Sequence, residues 1–379
     1  MEMTLDEAAQ NCMDTISKTI KNLKTLNIIV MGKSGVGKST LINSVFSGNF
    51  AETGIGKPVT QEVKKITKEG YPLAIYDTPG FELGKDQQKN VKGEILDIIQ
   101  KGHASRDINE KIHCIWYCIN AAGNRTFDES ELKWLREFTE SNKVTQVPII
   151  VVLTQAFPKK KAEEMKKEVE KENLAIAKVV PVLAQDMDFD DEYTARAYGL
   201  GTLVGVMSEV LPEELRDTLQ NVQKADLDLK KKRAQKVVAT AVTASFGEGF
   251  IPIPFSDAAA LVPTQIAMIA SITAIFGLNI NKSILTSFVS STIGTAGATI
   301  LGKTVVSNLI KLIPGVGTVI GGAISGATAG LITTALGESY IKVMEMVWKG
   351  EIKKEDLFTD KGKDEMAEIF KDELKKKKS

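Results

Sequence analysis

The segment Gly32-Lys33-Ser34-Gly35-Val36-Gly37-Lys38-Ser39 follows the pattern GxxxxGK[ST], a spacing suited to holding a chain of phosphates. Glycines at 32, 35 and 37 let backbone amides turn inward without side-chain obstruction. A helix opening just after them adds its positive end. Lys38 then supplies a cation for β- and γ-phosphate oxygens. Ser39 supplies a hydroxyl for Mg²⁺, a hard ion that takes few protein ligands and keeps several waters, and Thr40 carries the loop into the helix. The alternative is an ordinary glycine-rich turn, which the order strand, motif, helix disfavours.

Asp77-Thr78-Pro79-Gly80 stands at the end of the apolar run PLAIYD (72–77). A carboxylate at the C-terminal end of a strand lies where open α/β sheets bind ligands, so Asp77 is expected to reach Mg²⁺ from the side opposite Ser39. The Gly80 amide is expected to sense the γ-phosphate. Between the two motifs, Gly54-Ile-Gly-Lys-Pro-Val-Thr60 forms a Gly- and Pro-containing loop, and Thr60 is the candidate to close over the metal and the γ-phosphate. Catalysis is therefore assigned to Lys38, Thr60 and Gly80, and metal binding to Ser39, Thr60 and Asp77.

Groups so far apart in sequence converge only if strands deliver them to one edge. From Leu26 to Leu211 the chain alternates helical stretches with short apolar runs at 26–31, 72–77, 112–119, 147–153 and 178–183. That alternation predicts a mostly parallel sheet with helices on both faces. A sixth strand at 62–67 is too close to the run at 72–77 for a crossover, so the two are expected to pair antiparallel.

At 379 residues the chain is long enough for two domains, and 43% hydrophobic with 25% charged residues excludes wholesale disorder. Lys plus Arg and Asp plus Glu both number 48, so no global basic field exists to hold nucleic acid. Local contact through the KKKR (230–233) and KKKK (375–378) runs remains open. Three cysteines make no disulfide framework, and the acidic start lacks a signal-peptide pattern, so a cytoplasmic protein is expected.

The second half differs in composition. Residues 258–281, 283–302 and 312–337 carry no charge, and each is long enough to reach across a bilayer as a helix. Gly322, Gly326 and Gly330, at four-residue spacing, share one helix face that permits close backbone approach. The resulting plan is an amphipathic helix at 1–25, an α/β domain at 26–211, a charged connector at 212–236, an all-α glycine-rich hydrophobic domain at 237–348 and a charged tail at 349–379. Membrane association through 258–337 and a soluble bundle are weighed equally.

With the three nucleotide motifs in order, residues 26–211 resemble the translation-factor-related class of P-loop GTPases. Gly35 in GKSGVGKS looks closer to septins, chloroplast import receptors and immunity-related GTPases than to ribosome-assembly enzymes, which often carry Asn there. The resemblance implies that Phe81 replaces a water-orienting glutamine. It also implies guanine recognition by [NT]Kx[DE] after the fifth core strand. Here that segment reads Thr154-Gln155-Ala156-Phe157: the first two positions fit, and Phe157 stands where the acid belongs. Ala184 matches the small residue whose amide faces the guanine oxygen. The nucleotide-binding set is thus 32–40 with Asp77, Gly80, Thr154, Gln155 and Ala184.

Residues 253–266 and 313–318, with the glycines that follow, look like the YcjF-like domain of unknown function. This implies a bacterial GTPase with a membrane-facing or self-assembling helical partner. Slow GTP hydrolysis to GDP and a switch role are the expectation, with a homodimer through the GTPase domain as one way to complete the site. Two rivals stand beside it: a ribosome- or RNA-associated assembly GTPase, and a nucleotide-driven scaffold at a membrane.

Overall fold

The Val- and Ile-rich runs of the first half become strands of one sheet in a computed structural model of the chain. The structure describes residues 5–51, 63–80, 85–122, 129–189, 193–246, 253–254, 261–293, 323–324 and 326–376. Thr60, Phe81 and Gly322 lie outside them. Two units emerge, one formed by Leu23–Asp226 and the other by Met1–Asn22 with Leu227–Ser379.

In the first unit β1 (Leu26–Gly32), β2 (Lys64–Thr67), β3 (Leu73–Asp77), β4 (Cys114–Asn120), β5 (Ile149–Thr154) and β6 (Lys178–Pro181) form a sheet in the order β2-β3-β1-β4-β5-β6. All neighbours are parallel except β2 with β3. Every residue of β1 and β5 is buried, because helices cover both faces and leave no place for polar alternation. One face holds Ile29, Met31, Ile115, Tyr117, Val151 and Leu153 in a single apolar cluster. On the other, Trp116 stacks on Phe46 with ring centroids 5.5 Å apart. The helices are α2 (Lys38–Val45), α3 (Lys85–Ala104), α4 (Glu129–Asn142), α5 (Lys159–Lys171), α6 (Leu200–Val210) and α7 (Glu213–Val222). A short antiparallel hairpin, β7 (Met187–Phe189) with β8 (Tyr193–Ala195), follows β6.

His113, buried just before β4, ties this strand to β1: its Nδ1 accepts from the Asn27 amide at 3.0 Å, and its Nε2 faces the Ile108 carbonyl at 2.9 Å. The ring is therefore neutral, and burial pushes its pKa down from 6.5 to about 4. A depressed histidine pKa means that the unfolded chain takes the proton first. Stability is full above about pH 6.5 and falls as the pH drops toward 4, by up to about 3 kcal/mol from this residue. Urea unfolding at pH 7 and pH 5, followed by tryptophan fluorescence, will show a smaller pH effect in His113→Gln than in the parent. Equal pH effects in both would clear His113 of this role.

The second unit is mainly helical, with α1 (Leu5–Lys21), α8 (Leu227–Phe246), α9 (Leu261–Phe276), α10 (Lys282–Ile293), α11 (Gly326–Lys349) and α12 (Asp360–Lys376), but not all-α as expected, since Ile253–Pro254 pairs antiparallel with Ala323–Ile324. Cys12 and Ile16 of α1 are buried in the same apolar cluster as Ile272, Phe288, Tyr340 and Phe370. Residues 212–236, expected as a charged, helix-prone connector, contain α7 in the first unit and the start of α8 in the second. Within the KKKR run Lys232 is exposed, but Lys230 is not part of a basic surface. Lys230 is fully buried and donates to the carbonyls of Ile275 and Phe276 at 3.0 and 3.2 Å, capping the end of α9.

The charge-free stretches do not form bilayer-length helices among the described residues. The described part of α9 is 16 residues and stops at Phe276, before a left-handed Gly277, and the described part of α10 is 12 residues. At about 1.5 Å per residue neither reaches the ~30 Å of a hydrocarbon core. α11 is longer but carries Glu338, Lys342 and Glu345, and no described helix is long and apolar enough to cross a membrane. Gly326 opens α11 and Gly330 is buried within it. Seven residues beyond Gly330, on the same face, Gly337 is where a helix makes its close approach: a Cβ there would meet Val238 Cγ2 at 2.5 Å and Met268 Sδ at 2.9 Å.

Candidate nucleotide site

The C-terminal ends of β1, β3, β4 and β5 meet at one edge of the sheet, and the sequence-predicted phosphate loop leaves from the centre of it. Gly32, Gly35 and Gly37 take φ of 145°, 73° and 92°, conformations that residues with a Cβ rarely adopt. At Gly32 a Cβ would also run into the Cys118 carbonyl of the neighbouring strand, so the first glycine is fixed by packing as well as by backbone. Lys38 and Ser39 are the first residues of α2 and are partly exposed, with Thr40 behind them. The Lys38 ammonium donates to the carbonyls of Gly32 and Lys33 at 3.0 and 3.2 Å, so it lies folded back across the loop. Lys33 is held to the side by an ion pair with buried Glu131 of α4 at 3.2 Å. Val36 is buried, while Ser34 and Gly35 stay accessible.

Asp77 ends β3 directly beside Val30 of β1 and is 9% exposed. Lys38 and Asp77 both act on the buried Cys118 thiol. Burial pushes that thiol up to about 12, with the Lys38 charge opposing and the Asp77 charge adding. One strand position thus feels both groups. The Thr78 amide donates to the Val30 carbonyl at 3.2 Å, and the chain then runs to Gly80. There the approach is closest: a Cβ on Gly80 would fall on the amide and hydroxyl of Ser34. The DTPG segment therefore touches the phosphate loop. Oxygen donors at Ser39 and Asp77 suit a hard cation such as Mg²⁺.

The segment after β5 is also fastened to this loop. The buried Thr154 hydroxyl donates to the Val36 carbonyl at 2.5 Å, and the Gln155 amide donates to Gly35 at 3.0 Å. Gln155 has φ +49°, and its carbonyl side accepts from Asn120 of β4 at 3.4 Å. Ala184 follows β6 in a half-exposed loop. That loop is held near β5 by the Val182 amide, which donates to Leu153 at 2.8 Å, and by the Ala156 amide, which donates to Val182 at 3.2 Å. Sequence reading missed the Lys33–Glu131 pair and the β7–β8 hairpin. The alternation in Met187-Asp188-Phe189 and Tyr193-Thr194-Ala195 was the available signal for the latter.

Residues 27–180 match the family model described as "50S ribosome-binding GTPase". The first half is a P-loop GTPase domain. Residues 210–379 match "Domain of unknown function (DUF697)", so the chain joins a GTPase domain to a DUF697 domain. Among curated relatives, the chain shares 30% identity over 161 residues with human Septin-9, covering 35% of this chain and 26% of that protein. It shares 41% over 86 residues with Translocase of chloroplast 108 of Physcomitrium patens, covering 21% and 8%. Magnetosome membrane protein 22 of Magnetospirillum gryphiswaldense is 30% identical over 112 residues, covering 30% of this chain and 57% of that one. The chain thus spans between 8% and 57% of the length of these relatives. Among solved structures, a septin GTPase domain from Chlamydomonas reinhardtii matches with TM-score 0.36 at 18% identity, covering 52% of this chain and 94% of that one.

Proposed function

We propose that the protein binds GTP with Mg²⁺ at residues 32–39 and hydrolyses it slowly to GDP and phosphate, as a nucleotide-dependent switch. The contact of Gly80 with Ser34 carries this reading. It sets the end of β3 against the loop that would hold a terminal phosphate, so the position of residues 77–80 responds to whether that phosphate is there. Lys38 neutralises charge on the β- and γ-phosphates, and the Gly80 amide donates to the terminal one. Ser39, Asp77 and Thr60 are the oxygen donors for the metal, which when bound offsets charge on the phosphate oxygens. Thr154, Gln155 and Ala184 line the base, with guanine preferred. Phe81, next after Gly80, has no group to orient water, so a second copy through the GTPase domain or another partner completes the site.

The helical domain reads out the nucleotide state through membrane attachment or self-assembly in the cytoplasm. A relative named for the magnetosome membrane supports the membrane arm. Phosphate release from saturating GTP will run below about 10⁻² per second for the isolated chain and will vanish in Lys38→Ala. Release no faster than in that variant would remove hydrolysis and leave a nucleotide-driven scaffold. The family description "50S ribosome-binding" favours one second reading, an assembly GTPase. GTP-dependent co-sedimentation with large ribosomal subunits, without binding to vesicles, would select it.

A further inference from the structure

Phe157 occupies the position of the acid that ordinarily grips guanine, and it does not stand alone. Its ring lies 5.1 Å from that of Phe189 and 6.1 Å from that of Tyr193, with interplanar angles of 33° in both cases. Phe189 and Tyr193 are 6.2 Å apart, which closes a triad between the exit of β5 and the β7–β8 hairpin. Phe189 is 38% exposed and Tyr193 58%, so two of the three rings leave much of their surface in water. Single exposed aromatics need no explanation, but three in mutual contact make one continuous apolar surface, of a shape that a flat ring can cover.

The hairpin is held firmly enough to present such a surface. Leu183 and Tyr198 exchange backbone hydrogen bonds at 3.1 and 2.9 Å across its base, and the Tyr198 hydroxyl donates to the Ala156 carbonyl at 2.7 Å. Asp186 accepts from the Ala197 amide at 2.7 Å and pairs with Arg196 at 2.6 Å. On the other side, Thr154 and Gln155 bond to Val36 and Gly35, so Phe157 extends from a segment already fixed to the phosphate loop.

We propose that the Phe157–Phe189–Tyr193 triad is the platform on which the purine base of the bound nucleotide stacks, supplying the base affinity that the absent carboxylate does not. This rests on residues 32–39 holding the phosphates. Stacking acts on the π-face, which guanine and adenine share, so the triad gives affinity to both and leaves discrimination to the polar groups of Gln155 and Ala184.

The test is calorimetric titration of the full chain in Mg²⁺ with GDP, ADP and inorganic tripolyphosphate, for the parent and for Phe189→Ala, Tyr193→Ala and Tyr193→Phe. Both alanine variants are expected to weaken GDP and ADP by about tenfold each, leave tripolyphosphate within about twofold, and show Tyr193→Phe close to the parent. GDP and ADP affinities unchanged in both alanine variants would overturn the platform while leaving the phosphate site standing. Equal loss for tripolyphosphate and nucleotides would also overturn it, assigning the rings to the fold. Failure of the parent to bind any of the three would instead sink the nucleotide reading on which the platform rests.

Discussion

Lys38→Ala will lose at least about 100-fold in affinity for a non-hydrolysable GTP analogue in Mg²⁺, and Ser39→Asn will lose the part of that affinity which Mg²⁺ provides. Lys38 is the cation folded across the loop, bonded to the carbonyls of Gly32 and Lys33. A charged hydrogen bond to each of two phosphates is worth on the order of 3 kcal/mol together, which sets the factor. The sheet does not depend on this side chain, since the strands beside it are buried by their own apolar residues. Far-ultraviolet dichroism should therefore be unchanged. Wild-type affinity in either variant would mean that the glycine-rich loop is only a turn.

Gly80→Ala should separate the two nucleotide states. Its Cβ falls on the Ser34 amide and hydroxyl, both main features of the loop's inner wall, so residues 77–80 must back away. The Gly80 amide then no longer reaches a terminal phosphate. GDP affinity is expected to stay within about threefold, while single-turnover hydrolysis falls by about 100-fold, the usual cost of one lost donor to a charged transition state. Rapid-quench measurement of bound GTP decides this. Parent-like turnover would make DTPG a structural turn, and loss of GDP as well would mean that the substitution deforms the whole loop.

The fold of the first unit was legible because its signals are local. Apolar runs such as Ile28-Ile29-Val30 and Ile149–Leu153 can only be strands buried on both faces, and the five residues between 67 and 73 force β2 and β3 to be antiparallel. The positions of Lys38, Ser39 and Asp77 follow from motif and strand end alone. The helical unit was less legible, since charge-free Ala, Gly, Ser and Thr stretches suit a bilayer helix and a tight bundle equally. Only the stop at Phe276 and the charges within α11 separate the two. Long-range contacts were the least legible. Nothing in the spacing joins Leu5–Lys21 to helices more than 200 residues away, burying Cys12 and Ile16 beside them, or brings Phe157 against Phe189 and Tyr193.

Residues 32–39, with Asp77, are proposed to form a Mg²⁺-dependent triphosphate site that prefers guanine. Calorimetric titration of the full chain with a non-hydrolysable GTP analogue tests it most directly, repeated with the ATP analogue and again with the metal chelated. One saturable site per chain is expected, with weaker binding of the ATP analogue and a drop of tenfold or more without Mg²⁺. Equal binding of both analogues, or binding indifferent to the metal, would contradict it.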